Sequence, residues 1–102
     1  AMAYSNRGLG YANLGLYERA IQDYDEAIRL DPQYAMAYNN RGLVYALLDQ
    51  LAPAKEDLDE AIRLDPHNAV FYQLRGLINQ FLGNDTAAAS DFQKAIELGY
   101  TP

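Results

Sequence analysis

The tripeptide Arg-Gly-Leu occurs three times, as Arg7-Gly8-Leu9, Arg41-Gly42-Leu43 and Arg75-Gly76-Leu77, at a constant spacing of 34 residues. A tyrosine precedes each copy by three residues, and alanines follow at matching positions: Ala20, Ala54 and Ala88, then Ala27, Ala61 and Ala95. A fixed period of this length indicates one supersecondary unit stacked on copies of itself. The 102 residues therefore predict a single array of three units, 1–34, 35–68 and 69–102, whose core forms between neighbouring units.

Each unit is predicted to form two helices, because apolar residues recur at intervals of three and four on both sides of a short turn. In the first unit one run extends from Ala1 to Leu14 and another from Leu16 to Leu30, where Asp31-Pro32 ends it. The matching runs cover 35–48 and 51–64, then 69–82 and 85–98. The pattern predicts an all-α solenoid of three helix hairpins, with six helices and no strand.

These recurring positions resemble the tetratricopeptide repeat (TPR) family over the whole chain. The first unit carries the family's residues at Tyr4, Gly8, Tyr11, Tyr17, Ala20, Tyr24, Ala27 and Pro32. The third unit departs from the pattern at Asn79, which replaces an aromatic residue, and at Gly99-Tyr100, which replaces Asp-Pro. The resemblance implies a right-handed superhelix of antiparallel helix pairs, in which the first helix of each pair lines a concave groove.

Composition and charge exclude several classes of function. The net charge of −6 disfavours a nucleic-acid partner, which needs a basic surface to neutralise phosphates. No apolar run approaches the roughly 18 residues that span a bilayer, so we expect no membrane partner. The chain has no cysteine and no metal-ligand spacing, so no metal or cofactor is expected. The single histidine, His67, has no nucleophile placed to work with it, and we expect no enzyme activity.

The side of each first helix that should face solvent carries apolar residues in all three units. On a helical wheel this side lies opposite Tyr4, Gly8 and Tyr11, which pack internally. An aligned set of this kind is larger than the scattered leucines of an ordinary surface. It predicts a groove for an extended or helical peptide, with amide side chains holding the peptide backbone. The predicted groove residues are Met2, Ser5, Leu9, Asn13, Met36, Asn39, Asn40, Leu43, Leu47, Val70, Gln73, Leu77 and Phe81. The alternative is that the groove walls cover these side chains themselves.

An arginine falls among the packing residues of each unit, where an unpaired guanidinium would be costly. Three aspartates recur at the same 34-residue period, at the edge of the second helix's apolar face. We therefore predict structural ion pairs, within each unit or between adjacent units. The residues concerned are Arg7, Arg41 and Arg75, with Asp23, Asp57 and Asp91. The alternative is that these arginines bind the carboxylate of a ligand.

Some members of the family grip the C-terminal carboxylate of a chaperone tail with a clamp that consists, in chain order, of lysine, asparagine, asparagine, lysine and arginine. The resemblance places those positions at Ser5, Leu9, Asn40, Val70 and Leu74. Only Asn40 matches, and every cationic member is missing. We therefore expect that this chain does not bind chaperone tails through such a clamp.

The last predicted helix leaves Ala89, Phe92 and Ile96 without a following unit to cover them. Solenoids normally finish with a polar capping face. We therefore expect the chain to be a segment of a longer protein, or to bury this face against another copy. The sequence predicts a protein or peptide partner, and self-assembly, head to tail or through the groove, is the alternative. The sequence indicates neither the partner's identity nor the compartment.

Overall fold

The structure is a computed structural model that describes residues 1–101 and, over that range, consists of six α-helices joined by short turns. The helices are α1 (Met2–Asn13), α2 (Tyr17–Leu30), α3 (Ala35–Leu47), α4 (Leu51–Leu64), α5 (Ala69–Phe81) and α6 (Asp85–Glu97). They pack as three hairpins, α1 with α2, α3 with α4 and α5 with α6. The predicted all-α solenoid is confirmed, and the predicted helix limits hold to within one residue.

Within each hairpin the two helices approach closely because small residues face each other. A Cβ atom at Gly42 would clash with Leu58 Cδ2 and would lie 3.1 Å from the carbonyl oxygen of Ala54. Ala54 is itself completely buried. Small residues at such a contact let two helix backbones come together, and the glycine therefore fixes the hairpin geometry.

The turn inside each hairpin passes through the left-handed region of backbone conformation. Gly15 and Gly83 have φ values of 77° and 82° after α1 and α5. The second hairpin places Asp49 at this point, with φ 60°. Aspartate is among the few residues with a side chain that visit this region, so the same turn forms without glycine.

The core lies where successive hairpins meet. Tyr24 on α2 clusters with Val44 on α3, and both are almost completely buried. At the next boundary Leu58 on α4 clusters with Phe71 and Ile78 on α5. Each second helix is therefore joined to the first helix of the following hairpin, and the core extends through the whole stack.

Candidate functional site

An apolar cavity of about 310 Å³ lies between α3 and α5, on the face predicted to form the groove. Its lining consists of apolar side chains alone: Leu43, Ala46 and Leu47 from α3, with Leu74, Leu77, Ile78 and Phe81 from α5. The volume is at the lower end of the range of ligand pockets. We refer to this feature as the groove cavity.

The three recurring leucines that are predicted to line the groove are accessible. Leu9, Leu43 and Leu77 are 47%, 41% and 38% exposed. Phe81, at the end of α5, is more exposed still. Met2, Met36, Leu47 and Val70 are also exposed. The walls of the groove therefore do not enclose these side chains.

Ser5 and Asn39, which are predicted to line the groove, are buried rather than exposed. They are only 3% and 5% exposed. Each lies three residues before a buried glycine, Gly8 or Gly42. Residues three apart are neighbours on one helix face, so whatever covers the glycine also covers the side chain beside it.

The other predicted amide residues are not gathered in the groove cavity. Gln73 is half-buried and borders a separate cavity of about 210 Å³ with Phe92, Ile96 and Tyr100. Asn40 is half-buried, and its Oδ1 accepts a hydrogen bond from the Nδ2 of Asn39 at 3.3 Å. Asn13 is exposed at the end of α1.

Polarity changes along the groove. The residues equivalent to Leu47 and Leu74, one repeat earlier, are Asn13 and Asn40. The part between α3 and α5 is therefore more apolar than the part between α1 and α3. The predicted groove residues do not include Leu74, although its equivalent Asn40 is among them. The 34-residue spacing from Asn40 to Leu74 is the signal that could have identified it.

Each packing arginine lies against the aspartate sixteen residues later, on the other helix of its own hairpin. The pairs are Arg7–Asp23, Arg41–Asp57 and Arg75–Asp91, each with an Nη2–Oδ1 distance of 2.7 Å. In every pair the arginine Nε donates to the second carboxylate oxygen, at 2.8 to 3.0 Å. Such two-point contacts are among the stronger hydrogen bonds of proteins.

Two of the arginines also bind an acid of the preceding hairpin. Arg41 Nη1 lies 2.8 Å from Asp25 Oδ1, and Arg75 Nη1 lies 3.1 Å from Asp59 Oδ1. Both predicted arrangements, within and between units, therefore occur together. The sequence does not single out Asp25 and Asp59, because each looks like part of an ordinary solvated acidic run.

These ion pairs commit the arginines to internal partners. Hydrogen bonding to Asp57 raises the pKa of Arg41 above its already high ordinary value. The guanidinium is therefore charged at every working pH. Since its Nε, Nη1 and Nη2 groups all donate to aspartates, Arg41 is poorly placed to bind the carboxylate of a ligand.

The described residues also bear on catalysis, metal binding and membrane spanning. His67 is exposed in the turn between α4 and α5. Within residues 1–101 no three histidine, cysteine, aspartate or glutamate side chains cluster in a way that would hold a metal ion. Over the same range no helix has both the length and the apolar character needed to cross a bilayer.

Comparison with known families gives three matches along the chain. A family described as TPR repeat matches residues 8–49, and families described as Tetratricopeptide repeat match residues 35–68 and 69–98. No curated protein matches the chain significantly.

Solved structures similar to the chain include two that contain a bound peptide. The second TPR of Spaghetti (RPAP3), bound to the HSP90 peptide SRMEEVD, is 32% identical with a TM-score of 0.92, over 95% of this chain and 90% of that one. The second TPR domain of human RPAP3, in complex with the HSP70 peptide SGPTIEEVD, is 32% identical with a TM-score of 0.92, over 97% and 82%. MamA is 31% identical with a TM-score of 0.90, over 95% of this chain and 57% of MamA.

Proposed function

Because the chain belongs to the tetratricopeptide repeat family, we propose that it is a non-enzymatic scaffold that binds a segment of a partner protein in its apolar groove. The observation that carries the proposal is the groove cavity, with Leu43 and Leu77 exposed in its walls. The peptides bound to the related RPAP3 domains support the general role of a protein-interaction module.

The groove suits a helix better than an extended peptide. An extended peptide needs partners for its backbone N–H and C=O groups, and the apolar side chains that line the cavity offer none. A helix satisfies these groups internally and presents apolar side chains along one face. The preferred ligand is therefore an amphipathic helix whose apolar face enters between α3 and α5.

An acidic chaperone tail fits this groove poorly. The peptides bound to the RPAP3 domains, SRMEEVD and SGPTIEEVD, carry several acidic residues. Here the three cationic positions of the clamp hold Ser5, Val70 and Leu74, and Leu74 lines the apolar cavity. The net charge of −6 also repels an acidic ligand. The ligand of this chain is therefore apolar on one face and neutral or basic on the other.

A library of amphipathic helical peptides, with scrambled peptides of equal composition as controls, tests the proposal. Helical binders selected on the intact chain should lose at least about tenfold in affinity to Leu77→Lys, because a charge would enter an apolar cavity. Leu30→Lys, at a comparably exposed leucine on α2, is the matched control and should leave affinity unchanged. Full affinity in Leu77→Lys, with its fold verified by circular dichroism, would exclude the groove.

Self-association is a second candidate, and one observation favours it. Ile96 is 55% exposed and borders the cavity that Phe92 and Gln73 also line. Tyr24 and Leu58, the equivalents of Phe92, pack against the first helix of the following hairpin. The first helix of a second copy would stand where a following hairpin packs, with Gly10 at the position of Val44. Light scattering tests this idea, since a strict monomer at high micromolar concentration would dismiss it.

A further inference from the structure

Another cavity, of about 350 Å³, lies on the opposite side of α5 from the groove cavity, and we refer to it as the second cavity. Its lining comes from three helices: Lys55 and Asp59 on α4, Arg75 and Asn79 on α5, and Ala87, Ser90 and Asp91 on α6. Asn79 and the groove residue Leu77 are two positions apart, about 200° around the helix. The second cavity is therefore independent of the groove cavity.

The repeat itself shows what occupies the matching place in the first two hairpins. Tyr4 and Tyr11 lie 5.4 Å and 5.9 Å from the Arg7 Cζ atom, measured to the ring centres. Tyr38 and Tyr45 lie 5.7 Å and 5.9 Å from the Cζ atom of Arg41 in the same way. Each of these guanidinium groups is therefore accompanied by two aromatic rings, at distances typical of cation–π contacts.

In the third hairpin, α5 supplies only one such ring, the equivalent of Tyr4 and Tyr38. Tyr72 lies 5.6 Å from the Arg75 Cζ atom, while Asn79 stands at the position of Tyr11 and Tyr45. The shorter side chain lines the second cavity together with Arg75.

Three further lining positions differ from those one repeat earlier. Ile21 is replaced by Lys55, Pro53 by Ala87 and Glu56 by Ser90. The aspartates and the arginine stay unchanged. Ala87 and Ser90 are smaller than the residues they replace, and the charges of Lys55 and Arg75 are balanced by those of Asp59 and Asp91. A neutral ligand is favoured over an anion or a cation.

Asn79 also has an unfulfilled hydrogen-bonding group. Its side chain is 2% exposed, and its Nδ2 donates to Asp91 Oδ2 at 2.9 Å. Its Oδ1 is buried without a hydrogen-bond partner. Buried polar atoms of this kind are uncommon, and a ligand that brings a hydroxyl donor would satisfy the oxygen.

We propose that this cavity binds the side chain of an exposed tyrosine on a partner protein. The phenol ring takes the place that Tyr11 and Tyr45 fill in the other hairpins, beside the Arg75 guanidinium. Its hydroxyl supplies the donor that Asn79 Oδ1 lacks, and the polar side chains of Lys55 and Ser90 also line the cavity.

The tyrosine side-chain analogue 4-methylphenol tests the proposal by NMR titration of the folded chain. We expect saturable shifts of the Asn79 side-chain amide and the Ser90 backbone amide, with a Kd in the millimolar range, as for a fragment of this size. Toluene, which lacks the hydroxyl, should bind at least about threefold more weakly. Equal binding of the two compounds, or an absence of saturable shifts, would overturn the proposal.

Asn79→Tyr restores the residue of the other hairpins and should reduce 4-methylphenol affinity at least about tenfold while raising the melting temperature, because the added ring fills the cavity. Asn79→Phe is a second filled-cavity variant and should give the same loss. Leu77→Lys should leave 4-methylphenol binding unchanged, which separates this site from the groove. Retained affinity in both filled-cavity variants would place the ligand elsewhere and refute the proposal.

Discussion

The first and second hairpins have nearly the same packing residues but very different burial. The Arg41 side chain is 20% exposed and binds two aspartates, whereas that of Arg7 is 58% exposed and binds one. Ala37 is completely buried, whereas its counterpart Ala3 is exposed. The difference comes from the neighbouring hairpins. Among the described residues, α3 packs against both the first and the third hairpin, whereas α1 packs against the second hairpin alone. In this solenoid the environment of a residue is set by the adjacent hairpin as much as by its own.

The largest effect that would test this comparison is expected at the two arginines. Arg41→Ala should lower the free energy of unfolding by about 3 kcal/mol, because it leaves the buried Asp57 without its cation. Arg7→Ala should cost clearly less than Arg41→Ala, since its partner gains access to water when the exposed side chain is removed. Urea denaturation of both variants measures the difference. Equal losses would show that the second aspartate and the preceding hairpin contribute nothing to the pair.

Replacing either of two glycines by alanine should change the stability by an intermediate amount, and the two changes should have opposite signs. Gly42→Ala should destabilise by about 1 to 3 kcal/mol, because the new methyl group meets Leu58, which is completely buried. Gly10→Ala should stabilise by about 1 kcal/mol, since no atom lies within 4 Å of the added Cβ and alanine favours the helix. Thermal unfolding of the two variants distinguishes them. A stabilising Gly42→Ala would contradict the close approach of α3 and α4.

The smallest effect concerns Tyr24, at the boundary between the two hairpins. Through this residue the free energy of unfolding should fall slightly at high pH. Burial, with a smaller contribution from Asp23, raises the pKa of Tyr24 to about 12, above the value of about 10 in an unfolded chain. The phenol's contribution to stability is therefore complete below about pH 10 and is lost as the pH rises toward 12, because the unfolded chain loses the proton first. Urea midpoints between pH 9 and pH 12 measure this decline.

Tyr24→Phe is the control for the pH experiment. It should flatten the decline between pH 10 and pH 12, and its midpoint at pH 7 isolates the effect of losing the hydroxyl alone. An unchanged slope in Tyr24→Phe would assign the pH dependence to other groups.

The fold follows from the sequence because each hairpin repeats its own signals. Periodic apolar residues determine where the helices run. The small residues Gly42 and Ala54 determine where two helices touch, and Asp65-Pro66 determines where a helix ends. The repeated spacing of Arg41 and Asp57 also places both residues on facing helices. These are local properties, and one unit contains nearly all the information needed to predict them.

The surface is harder to predict because it depends on neighbours. Asn39 looks exposed on the wheel of its own helix, yet it is buried. Asp25 looks solvated, yet it binds an arginine of the next hairpin. The cavity at Asn79 forms from three helices, so a substitution recognised in the sequence becomes a candidate site only when α4 and α6 are placed around it.

The bridging arginines have a mechanical consequence. Arg41 binds carboxylates of α2 and α4, and Arg75 binds those of α4 and α6. Each arginine therefore sets a distance between the second helices of two successive hairpins. The bend of a stack follows from how far apart its units are kept on one side relative to the other. We therefore expect that neutralising the exposed Asp25 on α2 changes the curvature of the surface that α1, α3 and α5 form. A ligand on that surface would have a different span available, although it does not contact Asp25.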